Sequence, residues 1–137
     1  AMSDGVMISE FPTTFAAAQT ARSVGMAVVM GAPNAIRGES HSGNVSARVL
    51  AKEGLLDGLS SDYVPTSLLH ASFLLASTTD ITLPEAVRLV SANNASVVGL
   101  SDRGEIAPGK RADLLRVKEV CGVPVIRKVW RQGVAVA

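Results

Sequence analysis

Residues 26–44 read MAVVMGAPNAIRGESHSGN, and the change in character after residue 30 decides how the chain folds. The first five residues are all apolar, which indicates a strand buried on both faces, as in a parallel sheet covered by helices. The residues that follow are polar and are spaced by glycines at positions 31, 38 and 43. Such a loop is poor material for a core, so we expect it to border a functional site at a strand end.

The pattern of an apolar strand followed by a helix occurs three times in the first half of the chain. The strands are predicted over residues 6–10, 26–30 and 56–60, and the last two helices over residues 45–53 and 66–76. Thr13 or Thr14 is expected to cap the first helix, and Asn44 the second. Three such units in succession predict right-handed parallel connections in an α/β fold.

The C-terminal third has a different character. Residues 82–85, TLPE, have the spacing of a capping box and predict a further helix. From about residue 103, turn glycines and short apolar runs are typical of antiparallel strands. We therefore divide the chain into an α/β segment, residues 5–102, and a small antiparallel β element, residues 103–137. Three parallel strands fall short of the eight of an α/β barrel, and we expect both edges of their sheet to be open.

Composition narrows the range of partners. The 137 residues are 47% hydrophobic, which suits about one domain with a real core. A net charge of +1, from 13 basic and 12 acidic residues, gives no electrostatic footprint for nucleic acid or an anionic membrane. No apolar run approaches the ~18 residues of a membrane span, and the single cysteine, Cys121, cannot form an internal disulfide. We expect a cytoplasmic protein that binds neither nucleic acid nor membrane.

Polar residues follow each predicted strand, and in parallel α/β folds the carboxyl ends of the strands share one rim. Asp62 follows the third strand and is either a helix cap or a metal ligand and general base. His41 is either a surface residue of its loop or a contact to phosphate or metal. Arg37 is either solvated or a bidentate phosphate ligand. The loop lacks the GK[ST] of a P-loop, so that class is rejected.

Several stretches resemble a known family. Residues 104–117, GEIAPGKRADLLRV, and 129–136, VWRQGVAV, resemble the C-terminal signature of the amidohydrolase superfamily. Residues 82–100 resemble the helix pair that precedes that signature. The motifs SEFPTT, MGAPN, RGESHSGN and LSSDYVPTSLL are similar to one branch, the diphosphatases of phosphonate metabolism, which release pyrophosphate from a ribose methylphosphonate triphosphate.

The resemblance implies that the chain is the C-terminal part of a metal-dependent (β/α)₈ barrel. Its three parallel strands would be the last three of the barrel, and residues 103–137 a portion of the adjoining β-sandwich. Asp62 then matches the family's aspartate after the last strand, which binds metal and takes the proton of the hydrolytic water. The phosphorylated sugar phosphonate is expected to contact residues of the loop after the second strand, namely Asn34, Arg37, Ser40, His41, Ser42 and Asn44.

The family's other metal ligands would lie upstream of this chain. The resemblance therefore implies a divalent metal, zinc, in the full-length parent, whereas the isolated chain should bind metal poorly and be inactive. Two alternatives stay open. The parent could instead hydrolyse a C–N bond, as other members of the superfamily do. The chain could also be a non-catalytic module that forms homo-oligomers through exposed sheet edges or apolar faces.

Overall fold

A computed structural model describes residues 5–38 and 43–137 of the chain. The elements of this part follow the chain in the order β1 (Ile8–Glu10), α1 (Phe15–Ser23), β2 (Ala27–Gly31), α2 (Ala32–Arg37), α3 (Ala47–Lys52), β3 (Gly58–Ser60), α4 (Ser67–Thr78), α5 (Leu83–Arg88), α6 (Ala92–Val97), β4 (Leu114–Val120), β5 (Val123–Arg131) and β6 (Val134–Ala135). None of the helices in these two ranges is long and apolar enough to cross a membrane.

The first three strands form a parallel sheet in the order β1-β2-β3, which confirms the predicted α/β arrangement. One face of this sheet is buried: Val28, Met30 and Leu59 are at most 3% exposed. The helices cover that face largely with alanines, and with Leu50 of α3 and Leu75 of α4, both fully buried. Burying each large aliphatic side chain stabilises the fold by about 1.5–3 kcal/mol, so the core lies between this face and the helices.

Helix starts follow the expected polar residues in two of three cases. Thr14 caps α1 by accepting a hydrogen bond from the amide of Ala17 at 3.1 Å, and the capping box of Thr82 and Glu85 is present at α5. The prediction that Asn44 caps the next helix was wrong. α3 begins later, after Ser46, whose hydroxyl accepts from the amide of the second helical residue at 3.2 Å.

The last three strands form an antiparallel sheet in the order β4-β5-β6, confirming the β character of the C-terminal third. The turn between β4 and β5 contains Cys121 and Gly122, and the turn before β6 contains Gln132 and Gly133. All four residues have positive φ, between 50° and 79°, which two-residue hairpin turns require. The hairpins therefore have the backbone twist that matches their strands.

The outer edge of β3 is covered, so the expectation that both edges of the parallel sheet are open was wrong. The amide of Leu59 donates to the carbonyl of Leu89 at 2.8 Å, and the side-chain amide of Asn94 donates to the Leu59 carbonyl at 2.8 Å. The side-chain amide of Asn93 donates to the carbonyl of Asp57 at 3.0 Å. The residue after α5 and the first turn of α6 thus satisfy backbone groups that β3 and the residue before it turn outward.

Candidate active site

The carboxyl ends of the three parallel strands surround a small cavity of about 150 Å³. Its walls come from the residues after β1, from the end of β2 and the helix that follows it, and from the residue two positions beyond β3. They comprise Phe11, Pro12, Met30, Gly31, Asn34, Asn44 and Asp62. The structure thus brings three of the predicted site residues, Asn34, Asn44 and Asp62, to one place on the rim.

Asp62 lies directly against the end of β2. A Cβ atom placed on Gly31 would stand 2.8 Å from Oδ2 of Asp62 and 3.3 Å from its Cβ, closer than side chains tolerate. The backbone of Gly31 is ordinary, with φ −72° and ψ 132°. Glycine is therefore needed at this position to make room for the aspartate, and not for its own conformational freedom.

Backbone strain is concentrated at the same cavity. Among the described residues, four that are not glycine have positive φ, and two of these belong to the hairpin turns of the C-terminal sheet. The other two are Phe11, with φ 55°, and Asp62, with φ 51°, and both line the cavity. Each such residue costs of the order of 1 kcal/mol and persists only where the surroundings impose it. Their position favours a functional role for this rim.

Asn34 has one end of its amide already engaged. Its Oδ1 accepts a hydrogen bond from the backbone amide of Ala47 at 2.7 Å, at the first turn of α3. The oxygen therefore stabilises the start of that helix, which leaves the amide nitrogen as the group that can contact a ligand. Asn44 is exposed at the mouth of the cavity, so its side chain is accessible from solvent.

Arg37, at the end of α2, lies over the aromatic ring of Tyr63 and is not among the residues that line the cavity. Its guanidinium carbon lies 5.7 Å from the centre of the Tyr63 ring, a cation–π geometry that links the loop after β2 to the residue next to Asp62. Both side chains are exposed, which keeps the guanidinium available to an anion. The sequence places Tyr63 among the residues after the third strand, but it did not predict the contact with Arg37, because an exposed aromatic residue has no pattern that predicts its partner.

Arg48, which sequence reasoning also missed, fastens the end of α2. Its Nε donates to the carbonyl of Ala35 at 2.7 Å and its Nη2 donates to that of Ile36 at 2.8 Å. The amide of Gly38, just after α2, donates to the carbonyl of Asn34 at 3.0 Å and closes the last turn of that helix. Ser40, His41 and Ser42 lie outside the described residues, so their placement near Asp62 stays a prediction.

A larger cavity of about 690 Å³ lies on the other face of the parallel sheet. Glu10 and Ser60 line it at the strand ends, beside apolar residues of β1, β2 and the α5–α6 region. In the described part of the chain the hydroxyl of Ser60 is buried without a hydrogen-bond partner. Asp113 also borders this cavity, but its Oδ1 accepts from the amide of Gln132 at 2.8 Å, as expected of a structural turn residue.

Comparison with known proteins shows which family the chain belongs to. The model of the Amidohydrolase family matches residues 14–137 of this chain. The chain belongs to the amidohydrolase family. It is 55% identical over 131 residues to the alpha-D-ribose 1-methylphosphonate 5-triphosphate diphosphatase of Escherichia coli K12, covering 94% of this chain and 35% of that protein. It is 38% identical over 64 residues to an imidazolonepropionase of Deinococcus deserti, which is 41% of this chain and 16% of that protein.

Solved amidohydrolases share the fold of this chain. One amidohydrolase crystal structure superposes with a TM-score of 0.72 at 19% identity, over 99% of this chain and 41% of that one. An amidohydrolase from Thermotoga maritima gives a TM-score of 0.62 at 17% identity, over 95% of this chain and 43% of that one. This amidohydrolase chain thus spans about a third of the curated relative and less than half of the solved structures.

The described residues supply few of the ligands that the metal chemistry of an amidohydrolase needs. Across residues 5–38 and 43–137, no three His, Cys, Asp or Glu side chains gather closely enough to hold a metal ion. Asp62 can offer one carboxylate ligand at the rim, but zinc sites require three or four protein ligands. The described residues therefore do not make a metal site by themselves.

Proposed function

We propose that this chain is the C-terminal part of an amidohydrolase-family hydrolase of phosphonate metabolism. In this proposal the longer protein releases pyrophosphate from ribose 1-methylphosphonate 5-triphosphate. β1, β2 and β3 would be the last three strands of its (β/α)₈ barrel, and residues 103–137 part of its β-sandwich. The 55% identity to the diphosphatase over 94% of this chain supports the substrate class.

The observation that carries the proposal is the placement of Asp62. A carboxylate in a strained backbone conformation stands at the carboxyl ends of parallel strands, where α/β enzymes place their catalytic groups. It lies against Gly31, a position that no larger residue could occupy without displacing it. A residue that served only as a helix cap would need neither the left-handed backbone nor the bare neighbouring strand end.

The roles of the chain's own residues follow from this placement. Asp62 accepts a proton from the water that attacks a phosphoanhydride phosphorus, as a new P–O bond forms and the bridging P–O bond breaks. The proton that Asp62 takes passes afterwards to solvent, and pyrophosphate leaves. Arg37, held by Tyr63, binds equatorial phosphate oxygens, and the side-chain amide of Asn34 donates to the same chain of phosphates. Asn44 and the loop residues Ser40, His41 and Ser42 complete the proposed binding surface.

The remaining expectations belong to the same proposal. A divalent metal, zinc, would be bound in the longer protein with Asp62 as one ligand and the others supplied from outside the described residues. The isolated chain would bind metal weakly and not turn over. We further propose that the protein acts in the cytoplasm and forms homo-oligomers, which light scattering on the purified chain would detect.

The test is pyrophosphate release by the full-length protein and its Asp62→Asn variant. The substitution keeps the size of the side chain and removes the proton acceptor, so we expect a loss of kcat on the order of 10²–10⁴-fold. Asp80→Asn, an exposed carboxylate in the loop after α4, is the matched control and should leave the rate unchanged. Retention of full activity by the Asp62 variant would refute the role of Asp62.

The substrate is tested separately. Imidazolonepropionase and adenine deaminases match 51–64 residues of this chain at 38–49% identity, and this favours hydrolysis of a C–N bond as the second candidate. Incubating the full-length protein with the triphosphate and with cyclic amide and aminopurine substrates decides between them. Ammonia or ring-opened product without pyrophosphate would reject the diphosphatase.

A further inference from the structure

The outer edge of β3 is occupied by a segment of the same chain that is not a strand. Residues 89–94, the link after α5 and the first turn of α6, run along this edge. The carbonyl of Leu89 accepts from the amide of Leu59, and the side-chain amide of Asn94 donates back to the carbonyl of Leu59, both at 2.8 Å. A neighbouring β-strand would supply this same pair of one acceptor and one donor.

The covering continues toward the start of β3. The side-chain amide of Asn93 donates to the carbonyl of Asp57 at 3.0 Å, which is the next outward-facing carbonyl along the strand. Two asparagine side chains and one backbone carbonyl therefore satisfy the outward groups of this short strand. Leu89 is itself only 7% exposed, so the segment is anchored in the core beside the edge that it covers.

The lack of a side chain at Gly58 makes room for the covering segment. A Cβ on Gly58 would overlap Oδ1 of Asn94 and come within 3.6 Å of the Leu89 carbonyl oxygen. Gly58 is not among the glycines with positive φ, so an alanine there meets no backbone restriction of its own. The absence of a side chain at Gly58 is therefore explained by the asparagine that lies over it.

Among residues 5–38 and 43–137, the backbone bonds of β1 show no such cover on the opposite edge of the sheet. The amide of Phe11 donates to the carbonyl of Val29 at 2.9 Å, and the amide of Ala27 donates to the carbonyl of Met7 at 2.9 Å. Because backbone groups alternate in direction along a strand, Ile8 and Glu10 turn theirs away from β2. The two edges of the sheet thus differ in the described residues: the edge of β3 is covered by residues 89–94.

We propose that residues 89–94 are an intramolecular edge cap that takes the position of a neighbouring strand on β3. A second strand can pair with β3 only by displacing Asn94 and Leu89. The capped state and the strand-paired state are therefore mutually exclusive. The cap protects an apolar strand edge from pairing with other strands. This inference does not depend on the substrate or on activity.

The experiment is hydrogen exchange of individual backbone amides, followed by NMR on the full chain. In the wild-type chain the amide of Leu59 reports on the cap, and the amide of Phe11 reports on the β1–β2 pairing. Asn94→Asp keeps the shape of the side chain but replaces the donor to the Leu59 carbonyl by a carboxylate. We expect the protection of the Leu59 amide to fall by a factor on the order of ten or more, with that of Phe11 retained.

Gly58→Ala gives an independent version of the same test, since it pushes Asn94 away without changing any polar group. Gln19→Glu, on the exposed face of α1, makes the same change of charge as Asn94→Asp and should leave both amides unaffected. Protection of Leu59 that stays within about twofold of wild type in both cap variants would overturn the proposal.

A measurement on the wild-type chain keeps the proposal falsifiable if both variants unfold. A displaceable cap opens without global unfolding, so exchange of the Leu59 amide at low urea should depend less steeply on urea than exchange of the Phe11 amide. Equal urea dependence of the two amides would mean that the segment opens only when the whole chain unfolds, which contradicts a displaceable cap.

Discussion

Replacing Gly31 by alanine tests whether Asp62 is held in place by the end of β2. The new methyl group would stand 2.8 Å from Oδ2, 3.3 Å from Cβ and 3.4 Å from Cγ of Asp62. Rotation of the carboxylate can relieve the first contact, but Cβ is fixed by the backbone of Asp62. The backbone of Asp62 must therefore shift by a few tenths of an ångström, away from the end of β2.

The expected cost can be estimated from three effects. Overpacking of this kind costs about 1–3 kcal/mol. Gly31 is the N-cap of α2 without a side-chain hydrogen bond, and alanine is a poorer N-cap than glycine by a few tenths of a kcal/mol or more. Against this, alanine reduces the entropy of the unfolded chain, which stabilises the fold by about 0.4–1 kcal/mol. The last two effects roughly cancel, so we expect the free energy of unfolding to fall by about 2 kcal/mol.

The assay is urea unfolding followed by circular dichroism, repeated in an Asp62→Gly background. Glycine at position 62 removes all three atoms that the new methyl group meets and relieves the positive φ. In that background Gly31→Ala should change the free energy of unfolding by no more than about 0.5 kcal/mol, provided that m is unchanged. An equal cost of Gly31→Ala in both backgrounds would refute the idea that Gly31 exists to accommodate Asp62.

Three further predictions concern side chains that hold the frame of the site. Asp57→Ala should lower the free energy of unfolding by about 2 kcal/mol, since its carboxylate accepts from the amide of Val28 at 2.7 Å; Asp57→Asn, which keeps an acceptor, should recover part of this in urea unfolding. Arg48→Met should cost about 2 kcal/mol, because two carbonyls at the end of α2 lose their donor, and no loss would contradict the assigned bonds. The amide of Gln132 and a nearby arginine lower the pKa of Asp113, so this carboxylate stabilises the fold above about pH 4, and the stabilisation is lost as pH falls through the lowered pKa. Thermal melts of Asp113→Asn should therefore depend less on pH below about pH 4 than wild type, and parallel curves would contradict this.

Most of the parallel sheet could be predicted because each strand is a short apolar run followed by a break. The run at residues 26–30 became β2 with a shift of one residue, since its alternate side chains enter the core. The first strand, predicted over residues 6–10, is Ile8–Glu10 in the structure, and these three residues are the ones that pair with β2. α2 was missed because its Pro33 and Asn34 lie among glycines, although proline at a first helical turn is a recognised start signal.

The rim of the site could be predicted from topology, but the contacts that shape it could not. Parallel strands place their carboxyl ends together, and this alone brings Asp62 near the residues that follow β1 and β2. The bonds of Arg48 to backbone carbonyls and of Asn94 to Leu59 span 12 to 35 residues. Hydrogen bonds from side chains to distant backbone groups leave no periodic pattern, so neither the clamp on α2 nor the cap on β3 was foreseen.

The backbone turn at Asp62 is held by contacts within this chain. In the turn that contains Asp62, the amide of Val64 donates a hydrogen bond to the carbonyl of Ser61 at 3.1 Å. Ser67, 3% exposed at the start of α4, donates its hydroxyl to the Val64 carbonyl at 2.6 Å and so joins the turn to the helix. With Gly31 on its other side, Asp62 is confined from two directions by elements that pack into the core. The left-handed backbone at Asp62 is therefore stabilised by contacts within the fold itself.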